Sequence, residues 1–293
     1  MKYFDKVHPA VAASYFLSVL LISVFAASPI LPLFALLGGI AFYLTLNRGK
    51  RVRRDIVTDI LLFLLVAASN PLFVHNGVTP LFFLNGKAVT LEAALGGVGI
   101  AVMLLSAVYW FRCFNIIMTS DKLLFLFGKL SPKAALLLSS ALRFVPTLKS
   151  QAQKIRSAQT TMGVYSSDSI SDRLKAAMRT YSALITWALE NAVDTGSSMK
   201  SRGYGLKGRT HFSLFRFRRS DLILLAVIAF ADTAVIAAMA SGRLDFEFYP
   251  RIAVGVTDFR TAFGIAAFCI LSFLPFILEI KEELQWRYYR SKI

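Results

Sequence analysis

Apolar residues fill the chain from position 9 to position 46 with few breaks. That is nearly twice the roughly 20 residues one helix needs to cross a bilayer. Ser28-Pro29 and Pro32 interrupt the run, and proline starts a helix or turn more readily than it continues one. Two spans are therefore predicted, about 9–27 and 29–46, joined by a tight hairpin. The basic loop NRGKRVRRD (47–55) follows, then a third span at about 56–74, a turn-rich loop at 75–91 and a fourth span at about 92–118. Two further apolar runs, about 222–240 and 261–280, precede the charged tail KEELQWRYYRSKI. The fold class predicted is an all-α integral membrane protein of about six transmembrane helices. It divides into an N-terminal membrane region (1–118), a middle module (119–221) and a C-terminal membrane region with its tail (222–293).

The middle module has another period. Ser131-Pro132 reads as an N-cap followed by proline at the first helical position. Leu137, Ala141, Val145, Leu148, Ala152, Ile155 and Met162 then recur at helical spacing, and Arg143, Lys149, Lys154 and Arg156 occupy the other faces. Pro146 lies inside this helix and is expected to kink it. Gly163 suits a helix stop. A second helix starts near Ser169 or Ser171, carries the stripe Leu174, Met178, Tyr181, Leu184 or Ile185, Ala188 and Ala192, and ends at Gly203 and Gly205. Each helix is roughly 45 Å long at 1.5 Å per residue. Both are too charged to cross a bilayer and too apolar for water alone. They could pack on each other, lie among lipid headgroups, or present their small glycine-ended tips to a socket on another protein. Arg202 would supply such a tip with a planar, permanent cation able to pair bidentately with a carboxylate.

Charge sets the orientation. Of the 293 residues, 56% are hydrophobic, and 33 Lys+Arg against 17 Asp+Glu leave a net charge of +16. The basic residues sit between apolar runs, which points to membrane topology and headgroup contact rather than nucleic acid. With six spans, only Lys87, Arg243, Arg251 and Arg260 fall on one side, leaving 29 of the 33 on the other. The basic side is expected to be cytoplasmic, with both termini. Among short loops the argument rests on 47–55, with Arg48, Lys50, Arg51, Arg53 and Arg54. The basic N-terminal start lacks a cleavage signature, so the first span is expected to remain uncleaved.

ALRFVPTLKSQAQKIRSAQTTMG (141–163) together with MKSRGYG (199–205) resembles the transmembrane T component of energy-coupling factor (ECF) vitamin and metal transporters, a family that includes the cobalt-transport CbiQ-like permeases. The resemblance implies a non-catalytic subunit that binds no cofactor itself. Two ABC-type ATPase subunits would use ATP and grip the ends of two coupling helices, each closed by an Ala-Arg-Gly-like tripeptide. A separate membrane S component would capture the substrate. By position the second tripeptide is Ser201-Arg202-Gly203, and the first is Thr161-Met162-Gly163, with Met162 where the family usually has Arg. Arg143, Phe144, Pro146, Ala158 and Gln159 belong to the matching core motif.

Beside that resemblance, the chain has no GxxxxGK[ST] phosphate loop, so ATP hydrolysis by the chain itself is not expected. GxSxG, HExxH and paired-cysteine sites are also lacking. No metal site is expected: His8, His75 and His211 are far apart and read as boundary or loop residues. Asp232, near the middle of the fifth span, is costly in lipid. It fits either a functional contact, with a partner span, Arg112 or another polar residue, or a protonated or hydrogen-bonded helix contact. Asp59 is expected to pair with the basic loop, Glu92 and Glu279 to have no special role, and GGVG (96–99) to serve close helix packing. The alternatives to a T component are a conventional permease using Asp232, Asn70 and Asp59, and a membrane enzyme using Glu190 and Asp194.

Overall fold

The computed structural model describes residues 3–26, 28–47, 50–74, 77–84, 87–163, 169–206, 215–241, 246–247, 253–254 and 259–291. His75, His211, Arg48, Arg243 and Arg251 lie outside the described residues. The chain forms two compact units: Met1–Leu123 with Phe215–Ile293, and Leu124–Leu214.

The first unit is a helical bundle. Its helices are α1 (Tyr3–Lys6), α2 (Pro9–Phe25), α3 (Ile30–Leu46), α4 (Lys50–Phe73) and α5 (Leu91–Ile117), and later α9 (Arg219–Ala240) and α10 (Phe259–Arg290). Between α5 and α9 the chain forms α6 (Ser120–Leu130), α7 (Pro132–Thr161) and α8 (Ile170–Ser201). The described residues also form two short antiparallel ribbons. One joins β1 (Pro80–Leu84) to β2 (Lys87–Thr90), within the stretch read as a turn-rich loop; the other joins β3 (Phe246–Glu247) to β4 (Ala253–Val254).

All six apolar runs are helical, and the protein is an all-α integral membrane protein apart from those ribbons. Val52–Phe73, Leu91–Ile117, Arg219–Ala240 and Phe259–Arg290 are long and apolar enough to cross a membrane. Pro9–Phe25 and Ile30–Leu46 are shorter, at 17 residues each, the low end of the spanning range. The Ser28-Pro29 break is the reason: α2 stops before it, and α3 begins after Pro29, with the Ile30 N–H donating to Ser28 Oγ at 3.4 Å.

Aromatic packing builds the bundle core. Trp110 is fully buried and its Nε1–H donates to the Ala35 carbonyl at 2.9 Å, while the Tyr15 hydroxyl donates to the Leu271 carbonyl at 2.8 Å. Tyr15, Phe16 and Phe42 meet that tryptophan in tilted and edge-on contacts, and Phe4 packs against the same three rings. Such pairs each contribute about 0.5–1.5 kcal/mol beyond area burial. α4 sits against α5 through Gly97, where an added Cβ would stand 2.5 Å from the Ala67 carbonyl oxygen and 3.0 Å from Asn70 Cβ. This is the close packing expected of GGVG. Gly97→Ala is expected to cost about 1–3 kcal/mol by overpacking, read as a lower thermal midpoint in detergent; an unchanged midpoint would contradict the contact.

Three carboxylates behave differently from their sequence reading. Asp59 does not pair with the basic loop. It takes a bidentate bond from Arg112 of α5, Nη1–Oδ2 2.6 Å and Nη2–Oδ1 2.8 Å, because it lies more than two turns inside α4 on the face against α5. Glu92 is buried and accepts from the Thr79 N–H (3.2 Å) and Oγ1 (2.8 Å), tying the segment before β1 to the start of α5. Glu279 is buried in α10 and accepts from the Tyr3 N–H at 2.9 Å.

Candidate functional site

The candidate site lies in the second unit, on α7 and α8. Both start as their cap residues dictate. Ser131 caps α7 by accepting from the Ala134 N–H at 3.4 Å, with Pro132 at the first position, and Ser169 occupies the cap of α8. α7 runs on through Pro146; nearby, the Thr147 hydroxyl donates to the Arg143 carbonyl at 3.2 Å.

Both helices end in the same way. Met162 caps α7 and Gly163 follows with φ +76; Arg202 caps α8 and Gly203 follows with φ +78. The Gly163 N–H donates to the Thr160 carbonyl and the Gly203 N–H to the Lys200 carbonyl, both at 3.0 Å. At the second tip the Tyr204 N–H also reaches back to the Met199 carbonyl at 3.0 Å, completing a Schellman closure. A side chain at these left-handed positions costs about 1–2 kcal/mol. Nothing lies within 4 Å of a Cβ built on Gly163, so backbone conformation rather than space calls for glycine there.

The closures turn the chain sharply and leave the preceding residues outside. Thr161, Met162, Ser201 and Arg202 are all exposed, Met162 at 80%. The Thr161 hydroxyl donates to the Ser157 carbonyl (3.0 Å) and the Ser201 hydroxyl to the Ser198 carbonyl (2.9 Å). These bonds keep the small polar side chains against their own helices. What projects is a thioether at one tip and a guanidinium at the other.

Two contacts hold the helices together. Phe144 stacks on Trp187, centroids 5.9 Å apart and planes 5° apart, and Thr180 Oγ1 donates to Gln159 Oε1 at 2.8 Å. Position numbers rise along α7 as they fall along α8, so the helices run in opposite directions. Thr180, beside the end of α7, is 22 residues from Arg202, which separates the two tips by roughly 30 Å along the α8 axis. Of the core-motif residues, Phe144 and Gln159 thus join the helices, while Arg143, Pro146 and Ala158 are exposed.

Most of the predicted apolar stripe also faces outward: Leu137, Val145, Leu174, Met178 and Tyr181 are each more than 60% exposed. Only Ala176 of the two helices is buried. One feature escaped the sequence reading. A groove of about 770 Å³ between α7 and α8 is lined by Lys149, Gln153, Arg156 and Arg173, with Tyr181 and Leu184. Periodicity marks each cation as polar-face, yet only helix pairing sets the three beside one cleft.

Asp232 belongs to the other unit. On α9 its Oδ1 accepts from Ser18 Oγ of α2 at 2.7 Å. Arg112, one partner considered for it, is bonded to Asp59.

The family described as "Cobalt transport protein", CbiQ, matches residues 4–212, well over half of the chain. Curated relatives include "Energy-coupling factor transporter transmembrane protein EcfT" of Listeria innocua, 44% identical over 97 residues (32% of this chain, 37% of that protein). The protein of the same name from Lactobacillus helveticus is 40% identical over 94 residues (31% and 34%), and that from Bacillus selenitireducens 36% over 110 residues (37% and 41%). The alignments thus span little more than a third of the length of these relatives. A family match that takes in α2–α5 of the bundle and both glycine-closed helices places this chain in the CbiQ family.

Proposed function

We propose that the chain is the non-catalytic transmembrane component of an ECF-type ABC importer, embedded in the cell membrane with both termini cytoplasmic. Its middle module (119–221) serves as the cytoplasmic coupling module. Two ABC-type ATPase subunits hydrolyse ATP and hold the tips Thr161-Met162-Gly163 and Ser201-Arg202-Gly203. A membrane S component binds the vitamin or transition-metal substrate, and the coupling helices carry the ATPase motion to it.

One observation carries this reading: two exposed tips of like backbone geometry stand roughly 30 Å apart on one helix pair. A single small socket cannot hold both, whereas two ATPase subunits offer one each. The names of the relatives, transmembrane proteins of ECF transporters, agree with it. The outward apolar stripe suits a membrane partner, and the basic groove suits acidic surfaces. A permease with its own substrate path is less well served, since Asp59 is engaged by Arg112, Asp232 by Ser18, and Asn70 Nδ2 by the Ala93 carbonyl at 2.8 Å.

Co-expression with the ATP-binding cassette pair tests the reading. The tagged wild-type chain should recover both ATPases in stoichiometric amounts, and recovery of neither overturns it. At the first tip, Met162→Asp should reduce recovery about tenfold by placing a charge in an apolar socket, whereas Met162→Arg should retain or strengthen it. Complete loss with Met162→Arg would mean that this tip docks differently.

A further inference from the structure

The residues before α2 are bonded to three separate parts of the first unit. Phe4 is fully buried, with its ring against Phe42 (5.6 Å), Tyr15 (5.7 Å) and Phe16 (6.3 Å). Its carbonyl accepts from Lys122 Nζ at 2.9 Å. Lys122 is buried, 4% exposed, and stands at the start of α6, one residue before the last of the first unit's leading segment. At the other end of this short stretch, the His8 N–H donates to Asp221 Oδ1 at 3.3 Å and the His8 ring meets Phe217 edge-on at 5.3 Å. Phe217 and Asp221 belong to the segment by which the chain re-enters the first unit. Asp221 is buried and also accepts from the Arg218 N–H at 2.9 Å. The third part is α10: Tyr3 bonds to Glu279, Lys6 pairs with Glu282, and the Lys6 ammonium lies 5.9 Å from the Trp286 ring centre.

The chain therefore leaves for the second unit and returns from it at two points, 122 and 217–221, and both are bonded to residues 4–8. The Lys122 contact is costly. Lysine is almost never fully buried unless paired, and burial pushes this ammonium below the usual lysine range, against the pull of the Asp5 carboxylate. Plain filling of a gap would be better served by leucine or methionine. An ammonium donating to one main-chain carbonyl fixes position instead.

A lever transmits motion only when its root is held. Two independent single-chain connections would absorb displacement of the second unit as slack. We infer that residues 3–8 form a clamp tying the two junctions of the second unit to each other and to α10, with Lys122, His8 and Asp221 as positioning residues for coupling. The coupling role rests on the transporter reading above; the clamp itself does not.

The test has two arms. In the first, amide hydrogen exchange is followed on the purified full chain in detergent. Lys122→Met removes a bond at the first junction, and exchange at 217–221, in the second junction, is expected to rise about tenfold through loosening of the clamp. Lys122→Arg should stay near wild type. Unchanged exchange at 217–221 in Lys122→Met overturns the clamp, because a local packing defect would stop at α6. Should Lys122→Met not accumulate, Phe217→Ala replaces it, since Phe217 is exposed; faster exchange at 120–123 is then expected, and no change overturns the clamp.

In the second arm, complexes with the ATPase pair and an S component are reconstituted in lipid vesicles. Lys122→Met, or Phe217→Ala in its place, should lower substrate uptake per ATP hydrolysed at least about fivefold at equal subunit yield. An unchanged ratio overturns the positioning role. A wild-type chain that recovers no ATPase rejects the transporter reading and the positioning role together, while the exchange arm still decides the clamp.

Discussion

Under the proposed docking scheme, Arg202→Glu is expected to abolish recovery of one ATPase subunit and to remove ATP-dependent uptake. Arg202 is exposed at the end of α8, followed by a left-handed glycine that turns the chain away, so the guanidinium is the projecting group. Reversal removes a charge-assisted bond and sets like charges together where a carboxylate receives the tip. Losing one partner of a desolvated charge pair costs about 2–5 kcal/mol, or roughly 30-fold to several thousand-fold in affinity. The helix itself loses little, because a carboxylate at a helix C-terminus costs only about 0.3–1 kcal/mol at the surface. Helix content and the melting profile of the chain alone should therefore stay near wild type. Arg202→Lys keeps the charge but loses the planar fork, and should fall between the two. Pull-down of both ATPases at wild-type yield by Arg202→Glu would remove this tip from the docking scheme.

The second large effect concerns the bundle. Asp59→Ala is expected to destabilise the chain by about 3–5 kcal/mol, since it leaves the Arg112 guanidinium without its partner. Arg112 lies over the rings of Tyr43 and Tyr109, with centroids 5.9 and 5.5 Å away, and its bidentate bond to Asp59 joins α5 to α4. An unmatched guanidinium packed between apolar helices draws in water or displaces the helix. Replacing both members by apolar residues, Asp59→Leu with Arg112→Met, should recover more than half of the loss, because the double change leaves no buried charge. Thermal unfolding in one detergent compares the three chains. Asp59→Ala within about 0.5 kcal/mol of wild type would show that the pair contributes nothing beyond surface ion pairing.

Much of the architecture was legible in the residues. Spans follow from runs of apolar side chains, because no lipid-exposed backbone can leave its polar groups unpaired. Helix ends in the second unit follow from Ser131-Pro132, Ser169, Gly163 and Gly203, whose effects act within one turn. The candidate tips were legible for the same reason, since each is a helix stop with its neighbours. The two ribbons were not, because residues 75–91 have turn chemistry and too few alternating positions to mark strands, and β3 and β4 are two residues each.

Pairing was the harder matter. Asp59 was read against the nearest basic loop in sequence, yet its partner is 53 residues away on α5. Asp232 takes its bond from Ser18, 214 residues distant. Glu279 meets Tyr3 across 276 positions, and Lys122 reaches Phe4 across 118. The basic groove required α7 and α8 to be set side by side.

The residues alone determined what is local: where helices begin and stop, which are greasy enough for lipid, and which tips are small and closed by glycine. Those features depend on cap chemistry, side-chain bulk and backbone conformation within a few neighbouring positions. Tertiary structure alone decided which polar groups meet inside the bundle, how far apart the two tips stand, and that Phe4 and His8 bond to Lys122 and Asp221. Burial favours polar groups that take a donor or acceptor within about 3 Å, and which one is in reach is set by helix packing over hundreds of positions.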